Sequence, residues 1–100
     1  MLDDLPGAFI LNDGLRDLEQ GELSEAALLV LIGAPRFLQL GVHLPPSNPL
    51  AALPEHMLFD LLVEKHGVDA YRHYNSLLRL LVSLENAMEV SGMEQENFKV

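Results

Sequence analysis

The stretch 23-LSEAALLVLIGAPRFLQLG-41 decides how this chain reads. Ser24 is a candidate N-cap and Glu25 sits in the first turn, where the helix dipole favours an acid. From Ala26 to Ile32 every residue is apolar. A buried strand would also tolerate such a run. The cap, the alanines and the leucines favour a helix, and a helix apolar on all sides must be wrapped on all sides. Pro35 lacks an amide and clashes with the preceding turn, so it breaks or kinks the helix, and "RFLQL" adds a last turn before Gly41.

Working outward, residues 1–11 contain Pro6 and Gly7 and read as an irregular arm. A short helix follows in "NDGLRDLEQG", with Asn12 as N-cap and Gly21 as terminator. On the other side, "VHLPPSNPLAALP" carries four of the chain's 6 prolines and reads as a stiff connector. Its PxxP match, Pro46 to Pro49, is a common pattern without a basic flank. Pro54 suits the first position of a helix over "PEHMLFDLLVEKHG", with Leu58, Leu61 and Leu62 inward and His56, Asp60 and Glu64 outward. Gly67 ends that helix and Asp69 caps a final one, from Ala70 to about Val90, closed by Gly92. Residues 92–100 read as a flexible tail. The expectation is an all-α single domain over residues 1–100: a compact bundle of about four helices, a central apolar second helix and a long C-terminal helix.

Composition supports a folded chain. It is 49% hydrophobic, has no cysteine and carries a net charge of −9. Disulfide frameworks and thiolate metal sites are therefore excluded. The longest apolar run, "AALLVLIGA", falls far short of the ~20 residues that cross a bilayer, and the N-terminus has acids where a signal peptide has cations. A cytoplasmic protein without membrane contact is expected. Seven acids against Arg16 crowd residues 1–25. Such a surface repels phosphate backbones, so no nucleic-acid partner is expected.

The last helix carries the functional expectations. Ala70, Tyr74, Leu77, Leu81, Leu84 and Met88 line one face at ~100° per residue, and Leu78, Leu80, Val82 and Ala87 widen it. So wide an arc points to a second chain. Leu80, Leu84 and Ala87, with His73 at the rim, are the candidate homodimer interface. The narrow polar face, Arg72, Asn75, Arg79, Ser83 and Asn86, is a candidate docking strip, or else pairs with the N-terminal acids. Glu85 falls inside the apolar arc, where a carboxylate must be paired, protonated or at an edge that reaches water or an arginine.

In "HGVDAYRHY", His66, Asp69 and His73 have the residue types of a metal site, but the joint between two helices explains the spacing as well. No HExxH, P-loop, GxGxxG or GxSxG is present, so no enzyme, metal or cofactor is expected. The reading is a small acidic helical interaction or regulatory module, homodimeric, with an unidentified protein as a further partner. The alternatives are a ligand- or metal-binding protein using His66, Asp69, His73 or Glu85, and an acidic, antitoxin-like inhibitor of a basic partner.

Overall fold

A computed structural model describes residues 5–45 and 53–99, and their side chains up to Ser91. The regular elements among the described residues are all helices. α1 runs over Phe9–Glu19, α2 over Glu25–Ile32, α3 over Ala34–Gln39, α4 over Pro54–His66 and α5 over Ala70–Lys99. A 3-10 turn, Gly67–Asp69, joins α4 to α5. Pro46 and Pro49 lie outside the described residues. Among the described residues no helix is long and apolar enough to cross a membrane.

α2 is the central helix, as its composition demands. It packs against α1, α3, α4 and α5. Ala26 to Val30 are all buried. The Ser24 hydroxyl accepts from the Ala27 N–H at 3.2 Å and donates to Asp17 Oδ2 at 2.5 Å. The same residue thus starts α2 and ties it to α1. The helices cross closely because position 14 has no side chain: a Cβ on Gly14 would lie 2.6 Å from Val30 Cγ2 and 2.7 Å from the Ala26 carbonyl oxygen. Phe37 of α3, Leu58 and Leu62 of α4 and Leu81 and Leu84 of α5 complete the core with Ile10 and Leu11 of α1.

Three boundaries differ from the sequence reading. α1 begins at Phe9, not Asn12. A turn at Pro6–Gly7, with Gly7 at φ +73°, feeds directly into it, and the Ile10 N–H donates to the Gly7 carbonyl at 2.9 Å. The arm therefore joins the core through Leu5 and Ile10 instead of lying apart from it. Asp69 has no side-chain hydrogen bond to the start of α5; the 3-10 turn continues into the helix, and the Ala70 N–H donates to the Gly67 carbonyl. α5 also continues through Gly92 to Lys99, so residues 92–99 are helical where a frayed tail was expected. One glycine costs a helix only ~1 kcal/mol relative to alanine, and Met93, Glu94, Gln95 and Glu96 are good helix formers.

Candidate interaction surface

α5 is the longest element, at 30 residues, and its first two-thirds present different faces to core and solvent. Leu81 and Leu84 are buried, and Leu77, Leu78, Leu80 and Met88 are half-buried. This corrects the expected interface. Leu84 is 0% exposed and has no surface to offer a second chain. Leu80 lies over the N-terminal turn, where its Cγ comes within 2.9 Å of the position a Gly7 Cβ would take. Ala87 is half-buried, and His73 is exposed but occupied by another ring. Leu80 is covered by the chain's own N-terminal turn at Gly7, and Leu84 is enclosed within the core.

The polar strip fares differently. Asn75, Arg79 and Ser83, with Leu78 and Val82, line an open groove of about 670 Å³ on α5. Val82 is 50% exposed. Arg72 and Arg79 make no hydrogen bond or ion pair among the described residues, so neither pairs with Asp13, Asp17, Glu19, Glu22 or Glu25, while Asp3 and Asp4 lie outside the described residues. Two of the N-terminal acids are served locally: Arg16 lies 3.5 Å from Asp13 and 3.6 Å from Asp17. Lys65 reaches Glu25 at 2.7 Å, tying the end of α4 to the first turn of α2. Arg36 of α3 donates to Asn86 Oδ1 at 2.7 Å and to Glu89 Oε2 at 2.5 Å. Asn86 is thus held by α3 and is not free for docking, which leaves Arg72 and Arg79 as the Lys and Arg side chains without a partner among the described residues.

Glu85 is deeper than an edge residue. It is 5% exposed, and its Oε2 has no hydrogen-bond partner. The carboxylate lies against the α2–α3 junction, where the lack of a side chain at Gly33 makes room: a Cβ there would sit 2.8 Å from Oε2. Burial pushes the carboxyl above the ordinary carboxylate range, and the nearby Arg36 charge opposes this with a smaller effect. The site holds a single acid between apolar neighbours, Leu81 and Phe37 among them.

His66 and His73 do meet, although they belong to different helices. Their rings stack with centroids 3.7 Å apart and planes 15° from parallel. Parallel rings aim their nitrogen lone pairs alongside one another, not at a common point. Asp69 stands exposed on the turn between them, and among the described residues no three His, Cys, Asp or Glu side chains gather as a metal site would need. The stack instead closes the α4–α5 joint over Gly67, whose φ of +58° lets the chain turn. Sequence spacing could not show this contact, because it depends on the angle at which the two helices meet.

Comparison with protein-family models, with curated proteins and with solved structures finds no match to this chain.

Proposed function

We propose that this chain is a small acidic helical interaction module that self-associates through the α5 strip. One observation carries the reading: Arg79 lines an exposed groove formed in part by Leu78 and Val82, and neither it nor Arg72, two helical turns earlier on α5, has an ionic partner among the described residues. Arginine brings a planar, weakly hydrated fork that forms charge-assisted bonds to carboxylates, and an apolar floor between such groups gains from being covered. A second copy suits this surface. In a chain of net charge −9, carboxylates are in excess and arginines are scarce, so arginines at the edge of the strip can attract carboxylates of a second copy that lie outside it. A twofold axis would bring the floor residues of both copies together, with the arginines at the rim.

The test is a variant that spoils the strip without touching the core. Val82 and Arg79 are both exposed, so Val82→Glu with Arg79→Glu should retain the helical circular dichroism spectrum. The double variant should sediment as a monomer at concentrations where the parent chain associates. Equal association of parent and variant would remove the strip from the contact.

A further inference from the structure

A second groove lies between the first half of α4 and the first turns of α5, and its chemistry differs from that of the strip. Glu55, His56, Phe59, Asp60, Tyr71 and Tyr74 line about 270 Å³ of open space. Phe59 and Tyr74 have ring centroids 5.7 Å apart and planes at 85°, so two aromatic walls stand at a right angle. Tyr71, on the same groove, is 67% exposed, unusually open for a large aromatic side chain. Burial raises the Tyr74 phenol above its ordinary range, and the charge of Glu55 raises it further, which places that carboxylate's field on the ring.

Apart from the His56 imidazole, the strong features of this groove share one electrostatic sign. Aromatic faces are the negative side of the ring quadrupole, and Glu55 and Asp60 are carboxylates. Neither acid has a hydrogen-bond or ion-pair partner among the described residues, and no Lys or Arg lines the groove. Anions are therefore excluded, and apolar ligands would leave the carboxylates unused. A small, strongly hydrated cation would use the carboxylates alone and gain little from the rings. A cation with apolar skin uses both, since it can touch ring faces at a right-angled corner while its charge is balanced nearby.

We infer that the groove binds an alkylated ammonium group, of the quaternary kind found in choline-like ions and in fully methylated lysine side chains. The volume is at the lower edge of ordinary ligand pockets, which fits a head group and not a large ligand. The site is independent of self-association: the groove is lined by α4 and the first turns of α5, and none of its residues lines the strip.

The chain supplies its own reporter, because it has 2 tyrosines and no tryptophan, and both tyrosines line this groove. Tyrosine fluorescence is followed while tetramethylammonium chloride is added, with sodium chloride at matched ionic strength as reference. A saturable change specific to tetramethylammonium is expected. Glu55→Gln and Tyr71→Leu, both at exposed positions, should retain helix content and each weaken binding roughly two- to fivefold, the range of one exposed cation–π or ionic contact. Choline and an N-acetyl-trimethyllysine amide then separate the sources. Tighter binding of choline supports a free small cation, and tighter binding of the lysine derivative supports a modified protein side chain. A tetramethylammonium response identical to that of sodium, tighter binding of guanidinium than of tetramethylammonium, or unchanged binding in both folded variants would overturn the assignment.

Discussion

α2 and α5 are both rich in leucine, yet they stand in opposite relations to solvent. α2 is short, enclosed by four other helices and buried from Ala26 to Val30. α5 is nearly four times as long, 30 residues against 8, and keeps Leu81 and Leu84 inside while Val82 and Tyr71 face water. The difference shows how burial divides labour in a small domain. An element wrapped on all sides contributes stability and can contact nothing else. An element longer than the core it packs against has surface left over, and that surface is where recognition can be built. Substitutions in the two helices should therefore separate stability from association.

The largest effect is expected in α2. Leu29→Ala removes a fully buried side chain and should destabilise the fold by about 2–5 kcal/mol, read from urea unfolding. A loss below ~1 kcal/mol would mean that α2 is not enclosed as described. Gly14→Ala tests the same enclosure from the α1 side. The new methyl would meet Val30 and the Ala26 backbone at under 3 Å, so a loss of about 1–3 kcal/mol should appear despite alanine's better helix propensity. A neutral or stabilising result would place α1 farther from α2.

Glu85 is the point where α5 enters the core with the wrong chemistry. Its folded carboxyl holds a proton more tightly than the unfolded chain does. Its contribution is thus fully present at pH below the ordinary carboxylate range and is lost as pH rises through the elevated folded value. Glu85→Gln cannot ionise. The variant should gain stability relative to the parent at neutral pH, and the gain should shrink on acidification. A difference independent of pH would show that the carboxylate is not desolvated. At the small end, Val82→Ser should change the stability of the isolated fold by no more than about 0.5 kcal/mol, since the side chain is half exposed.

The legible parts of the fold were those fixed locally. Ser24 caps α2, Pro35 opens α3, Pro54 opens α4 and Gly67 turns the chain, each through backbone constraints of the residue itself. The wide apolar arc of α5 was legible too, but its cover was not. That depended on the arm before Phe9 folding back so that Gly7 meets Leu80, a contact between residues far apart in sequence. An arm read as irregular leaves Leu80 and Leu84 without a cover from their own chain, and so points to a partner chain. Glu85 stood out as an acid on an apolar face, but its depth required knowing that Gly33 leaves room across the junction. The right-angled pair Phe59–Tyr74 left no trace in spacing, because its members sit on separate helices.

Self-association through α5 is most directly tested by sedimentation equilibrium of the unmodified chain across micromolar concentrations. The exposed strip predicts a mass that rises from one to two chains with concentration, and a weaker association at high salt as the arginine contacts are screened. A single-chain mass throughout that range would contradict it.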